Sequence, residues 1–193
     1  MAEVKNNEKK MTSTEKAKAN LKEALSWLLT LIVVIIISIF ITNFIILKAE
    51  VPTGSMMNTI NKDDRVLAWR LITHVDRGDI VIFPALKYVG DYDDSLYVKR
   101  VIGLPGETVE IHDGQVFIDG KPLKEDYLPE EINGEWGPYN VPEGCYFVLG
   151  DNRNCSKDAR YWTLNKYISE EDIMAKVIFK YYPNFKWMKD PVY

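Results

Sequence analysis

Three places in this 193-residue chain combine residue types and spacing that suit chemistry: Ser55, Lys99 and a polar stretch at 150–162. Ser55 lies in Val51-Pro52-Thr53-Gly54-Ser55-Met56. Pro52 cannot donate to a sheet ladder, so the segment belongs on an edge, and Gly54 gives the backbone freedom directly before a hydroxyl. That suits a nucleophile on a special turn, and it suits a plain linker turn equally well. Lys99 lies in Leu96-Tyr97-Val98-Lys99-Arg100-Val101-Ile102-Gly103-Leu104-Pro105-Gly106. In a strand Tyr97, Lys99 and Val101 share one face, and Val98, Arg100 and Ile102 share the other. A lysine among apolar neighbours is desolvated, which lowers its pKa. To act as a base near neutrality it must fall roughly 3 units from about 10.4, or about 4 kcal/mol. The other reading of a Lys-Arg pair is a solvated edge that discourages aggregation.

The polar stretch, Leu149-Gly150-Asp151-Asn152-Arg153-Asn154-Cys155-Ser156-Lys157-Asp158-Ala159-Arg160-Tyr161-Trp162, follows an apolar run, Cys145 to Leu149. Such crowding of acids, amides and arginines suits a hydrogen-bonded support behind a site. A surface loop remains the alternative. Asp76-Arg77-Gly78-Asp79 reads as a turn feeding a buried strand and carries little functional weight alone. With His74 and His112 the only histidines, and no C-x-x-C or H-E-x-x-H, no metal site is expected. A Ser/His or Cys/His hydrolase using either histidine is a weaker alternative. Cys145 and Cys155 are ten apart, and the sequence leaves both a bridge and two free thiols open.

These residues need elements to hold them. The composition, 47% hydrophobic and 27% charged with 11 Gly and 9 Pro, is that of a globular chain, which excludes a disulfide-stapled mini-protein, a collagen-like repeat and a disordered tail. Leu25 to Leu47 is a run of 23 residues without a charged side chain. At about 1.5 Å per residue a helix of that length crosses a roughly 30 Å hydrocarbon layer. It exceeds a signal-peptide apolar core and ends in Leu47-Lys48-Ala49-Glu50 with no small-x-small site, so a retained transmembrane helix is expected. Thr12 and Glu15 form a capping box for its lead-in.

Residues 1–24 carry six lysines against four acids. By the positive-inside rule they stay in the cytoplasm, the span is 25–47, and residues 48–193 form an extracytoplasmic domain. That domain has 18 Lys and Arg against 24 Asp and Glu, which gives it no basic surface for nucleic acid. Short apolar runs at 66–69, 79–83, 97–102, 108–111, 115–118 and 145–149 read as strands, with tight turns at His112-Asp113-Gly114 and Asp119-Gly120. Ser169 to Asp172 reads as a short helix and Ala175 to Tyr181 as a last strand. The expected fold is one N-terminal transmembrane α-helix followed by a mostly antiparallel β domain, barrel-like or sheet on sheet.

In this order, a P-x-G-S-M segment just after a single span, an R-G-D strand, a Y-V-K-R-V-I-G-L-P-G strand and a G-D-N-R-x-x-S-x-D-x-R loop closely resemble the boxes of type I bacterial signal peptidases. The resemblance runs from the anchor to about Trp162 and points to the compact Gram-positive form. It implies a membrane-anchored serine endopeptidase that releases exported preproteins from their signal peptides after small residues in an Ala-x-Ala pattern. Ser55 would be the nucleophile and Lys99 its general base. Thr53 and the Ser55 N–H would bind the oxyanion. Ser156 would hold the Lys99 amine, with Asp158 and Arg160 a buried pair behind the site. Val51, Pro52, Met56, Ile60, Tyr97 and Val98 would form the substrate groove and its pockets.

No cofactor is implied. The implied partners are signal peptides of secretory preproteins, the lipid bilayer and, transiently, the secretion translocon. Two departures stand out: Asn58 where the family often has Pro, and Ala159 where it usually has Ser. Neither position supplies a reacting group. Because Ser55 follows the apolar run by eight residues, the catalytic edge is expected at the membrane surface. The rival from another class is a non-catalytic, membrane-anchored peptide-binding or scaffold domain, which would need neither Ser55 nor Lys99.

Overall fold

Period-two alternation and left-handed turn residues build most of the β structure. The computed structural model describes residues 13–89 and 95–188. The capping box at Thr12 and Glu15 lies outside the described residues. Strands β1 (Ile46–Glu50), β2 (Arg65–Trp69), β3 (Ile80–Pro84) and β4 (Leu96–Gly103) are followed by β5 (Thr108–His112), β6 (Gln115–Ile118) and β7 (Lys121–Pro122). Asp113 and Gly114, at φ 49° and 76°, turn β5 into β6. Asp119 and Gly120, at φ 50° and 74°, turn β6 into β7. Both pairs match the tight turns read from the sequence. Then come β8 (Trp136–Asn140), β9 (Cys145–Leu149), β10 (Ile168–Ser169), β11 (Ala175–Tyr182) and β12 (Lys186–Trp187). The short helix expected near 169–172 is a 3-10 turn over Glu170–Asp172.

All strand pairs are antiparallel, in two sheets. The larger runs β1-β2-β11-β3-β4-β9-β10 with β12 beside β11, and the smaller runs β7-β6-β5-β8. β3 is buried on both faces, and its alternation separates two cores. Val81 and Phe83 join Val101, Phe147 and Val148 with Val109 and Val116 of the smaller sheet. Ile80 and Ile82 join Leu47, Val66, Ala68 and Val177. The Asp76–Asp79 turn fastens β3 to β4: Gly78 N–H donates to Val101 O at 2.9 Å and Val101 N–H to Asp79 O at 2.9 Å. Its Arg77 also reaches Glu107, at 2.5 Å.

The N-terminal segment is a separate unit. Helix α1 (Ser13–Phe40, 28 residues) exposes every described side chain and continues as a π-helical turn over Ile41–Ile45. Among the described residues it is the one helix long and apolar enough to cross a membrane. The apolar run does not stay helical to Leu47 as expected. Ile46 and Leu47 open β1, where Leu47 pairs with Ala68 and is 6% exposed. The last residues of the run are apolar because they fill a core.

Candidate active site

Two walls form the site, and each is held from behind. One is the turn after β1. Val51 N–H donates to Asp64 O at 3.0 Å and Asp63 N–H to Val51 O at 2.8 Å, which closes a loop over residues 51–64. Asp64 is buried, accepts from the Lys180 amine at 2.9 Å and so pins the loop to β11. The other wall is the first half of β4. It pairs with β3 from Leu96 to Arg100, whereas β9 covers its opposite side only from Arg100 onward. β9 therefore does not reach the Leu96 to Lys99 half of that edge. A groove of about 330 Å³ runs between the walls, lined by residues 51–55 and 95–99 with Cys155 and Lys157.

Lys99 and Ser55 meet in this groove. The Lys99 amine donates to Ser55 Oγ at 2.8 Å and to Val98 O at 3.0 Å. Lys99 is 3% exposed, and its burial pushes its pKa down to about 8, against the pull of the Asp158 and Asp151 charges. That is most of the fall a base near neutrality needs. The Thr53 hydroxyl lies 3.3 Å from Ser55 Oγ. An amine that readily loses its proton beside an alcohol is the arrangement for nucleophilic attack by a serine.

The 150–162 loop is folded against the back of both. The Gly150 N–H donates to Asp158 at 3.0 Å, and Asp158 pairs with Arg160 at 2.8 and 2.9 Å in full burial. A Cβ at Gly150 would stand 2.5 Å from Ser55 O and 2.1 Å from Ser156 Oγ, so only glycine permits this approach. Asn152 donates its backbone N–H to Ser55 O and its side-chain amide to Gly54 O, each at 3.0 Å. Arg100 forms a bidentate pair with Asp151 at 2.8 and 2.5 Å, and Arg153 pairs with Glu125 at 2.7 and 2.6 Å. The charge of Glu125 holds the Arg153 pKa above its usual value despite burial.

The residues expected at the site are not all placed alike. Val51, Pro52, Thr53, Ser55, Tyr97, Val98 and Lys99 line the groove. Met56 and Ile60 do not. Both are fully buried in the second core, because Ile60 N–H bonds Met56 O at 2.8 Å in a helical turn that points them inward. Ser156 is buried, but its Oγ has no hydrogen-bond partner among the described residues, and Lys99 bonds Val98 O instead. Asn58 is exposed in the turn, and Ala159 is buried in the first core.

His74 and His112 lie outside the groove, with His74 on Asp76 at 2.9 Å and His112 stacked on Phe117 at 4.0 Å. The two cysteines are free thiols. Sequence reasoning missed the groove positions of Cys155 and Lys157, the Asn152 bonds and the Arg153–Glu125 pair. A buried arginine one residue from Lys99 was the available sign that an acid such as Asp151 must lie near.

Residues 24–182 match the sequence model of the family described as "Signal peptidase, peptidase S26". The chain belongs to this family. It is 35% identical over 155 residues to the signal peptidase I of Leptolyngbya laminosa, covering 77% of this chain and 75% of that protein. It is 33% identical over 194 residues to signal peptidase IB of Staphylococcus aureus strain MRSA252, covering 88% and 96%. A crystal structure of a signal peptidase I from Enterococcus faecalis V583 aligns at 34% identity over 54% of this chain and 97% of that chain, with a TM-score of 0.46. The four boxes of the sequence thus stand in a chain of the signal peptidase family, and their Ser and Lys share one groove.

Proposed function

We propose that this protein is a membrane-anchored serine endopeptidase that cleaves signal peptides from exported preproteins, with Ser55 as nucleophile and Lys99 as general base. The 2.8 Å approach of the buried Lys99 amine to Ser55 Oγ carries this reading. Neutral Lys99 takes the Ser55 proton as Oγ attacks the scissile carbonyl carbon. The oxyanion is met by the Ser55 N–H and the Thr53 hydroxyl, each donor worth about 3–4 kcal/mol. The intermediate collapses, the C–N bond breaks, and the Lys99 ammonium returns the proton to the leaving amine. Water, deprotonated by Lys99, then attacks the acyl ester and frees Ser55. The Asp158–Arg160 pair supports the loop behind the site, and the buried Ser156 hydroxyl, which makes no hydrogen bond among the described residues, is the group of that loop left to orient the amine during the reaction.

Substrate binds as an added strand on the half of the β4 edge that β9 does not reach, opposite the 51–55 wall. Val51, Pro52, Tyr97 and Val98 form its pockets, and alternating side chains of the bound peptide enter them. Shallow pockets admit small residues such as Ala at the first and third positions before the cut. Met56 and Ile60 shape those pockets from beneath. Residues 1–24 lie in the cytoplasm, the apolar segment begun at Leu25 spans the bilayer, and the β domain works outside, where precursors leave the translocon. The lipid bilayer holds enzyme and substrate at a similar depth.

Cleavage of a secretory precursor by the full chain in lipid vesicles tests the assignment. Ser55→Ala and Lys99→Met should each abolish cleavage, while His74→Ala and His112→Ala leave it within about twofold. Full activity in Ser55→Ala or Lys99→Met would leave the non-catalytic binding domain as the better reading.

A further inference from the structure

The peptide unit joining Gly54 to Ser55 carries two groups of consequence. One is the Gly54 carbonyl, which accepts from the Asn152 side chain at 3.0 Å. The other is the Ser55 N–H, which the proposed reaction uses as an oxyanion donor. A trans peptide is a rigid plane whose C=O and N–H point in opposite directions, so holding one aims the other. Gly54 is the least restrained residue of the turn, because it has no Cβ. The Met57 N–H holds that carbonyl from within the same turn at 3.1 Å, so a bond from outside the turn is what stops the plane rotating together with the turn.

Asn152 is well placed to prevent that rotation. Because its partner is a carbonyl, the end of the amide that meets Gly54 O is its NH2. Its backbone N–H holds the next carbonyl, Ser55 O, at 3.0 Å. Two successive carbonyls of the turn thus end on one residue, and that residue is anchored on both sides. Asp151 is clamped by Arg100, and Arg153 by Glu125 and by Gly150 O at 3.1 Å. The Cys155 N–H closes a turn onto Asn152 O at 3.0 Å.

We propose that the Asn152 side chain is a positioning residue for the oxyanion site: by holding Gly54 O it aims the Ser55 N–H into the groove. A carbonyl that accepts a hydrogen bond also polarises its own peptide unit and strengthens the N–H as a donor. The inference rests on the reading of Ser55 as nucleophile with its N–H as oxyanion donor. Asn152 touches neither substrate nor the reacting atoms, and its effect is confined to the transition state.

The test uses the full chain in lipid vesicles with Asn152→Asp and Asn152→Ala, both of which keep the backbone bond to Ser55 O. Asn152→Ala should lower kcat about 10- to 100-fold, less than outright loss of an oxyanion donor, with KM within about twofold. Asn152→Asp should lower it further, since a carboxylate sets an acceptor against a carbonyl. In Asn152→Ala, which changes no charge, the acid limb of the pH profile, which reports Lys99, should not move. A peptide aldehyde, which Ser55 attacks to form a tetrahedral adduct, should bind more weakly by the factor lost in kcat. A cleaved signal peptide, which makes no adduct, should bind as before.

Equal weakening of aldehyde and product peptide, wild-type kcat in Asn152→Ala, or loss of the fold in either variant would each overturn the proposal, because it assigns Asn152 to aiming and not to stability. Ser55→Ala runs alongside. If it is inactive while Asn152→Ala is normal, only this inference fails. If it is fully active, the underlying assignment of Ser55 fails.

Discussion

Lys99 and Arg100 are neighbours on one strand, each 3% exposed, sent by the strand's alternation to opposite faces. Arg100 meets full compensation: both carboxylate oxygens of Asp151, the Gly78 carbonyl at 2.7 Å and the Tyr127 ring at 4.2 Å. Lys99 hydrogen bonds only a hydroxyl and a carbonyl among the described residues. Burial is equal on the two faces, but a guanidinium holds its proton where an ammonium can lose it, and of the two only Arg100 meets a carboxylate. A paired cation keeps its charge and fastens the loop that backs the site. A cation with no carboxylate in contact is driven toward its neutral form, which is the state a general base requires. One strand thus supplies a structural strut and a reactive amine at adjacent positions.

The contrast breaks most severely if Lys99 is made permanently charged. Lys99→Arg keeps a cation but cannot deprotonate, so kcat/KM for a precursor should fall about 10³-fold or more. Retained activity would mean that the proton is taken elsewhere. On the other face, Asp151→Ala leaves Arg100 buried without its acid and should cost about 3–5 kcal/mol in denaturant unfolding. A loss under about 1 kcal/mol would show that Arg100 finds water or another partner.

A smaller change sharpens the comparison. The Lys99 pKa near 8 lies below its ordinary value, so the reactive neutral form is gained as pH rises. At pH 7 about a tenth of the molecules carry it, and kcat/KM should climb to half its maximum near pH 8. The Asp158 and Asp151 charges raise that pKa. Asp158→Asn removes one of them, so the acid limb should move to lower pH even as the fold loses stability. A shift to higher pH would contradict this account of what sets the Lys99 pKa.

Much of this arrangement is legible in the sequence because it is local. Alternation in Tyr97–Ile102 separates Lys99 from Arg100, and Asp-Gly pairs at 113–114 and 119–120 require their tight turns. Elements whose partners are distant are harder to read. β1 hides in the tail of the apolar run, since a membrane helix and a buried strand both call for Ile and Leu. β8 contains Gly137-Pro138, which reads as a loop. Gly137, at φ 103°, lies so close to β5 that a Cβ would stand 2.8 Å from Val109 O.

The resemblance to signal peptidases puts Met56 and Ile60 in the groove. Their spacing of four is that of a helical turn with an apolar inner face, and it carried the sign of burial. Glu125 and Tyr127 gave no such sign. Nothing near residue 125 says that the arginine it pairs with lies 28 residues on.

The central claim, that Lys99 activates Ser55, is tested most directly by mass spectrometry of the covalent adduct left by a serine-directed β-lactam-type inhibitor. The account predicts one adduct on Ser55 in the unsubstituted protein, forming faster as pH rises through about 8, and none in Lys99→Met over the same interval. An adduct on another residue, or acylation of Ser55 in Lys99→Met at the unsubstituted rate, would contradict it.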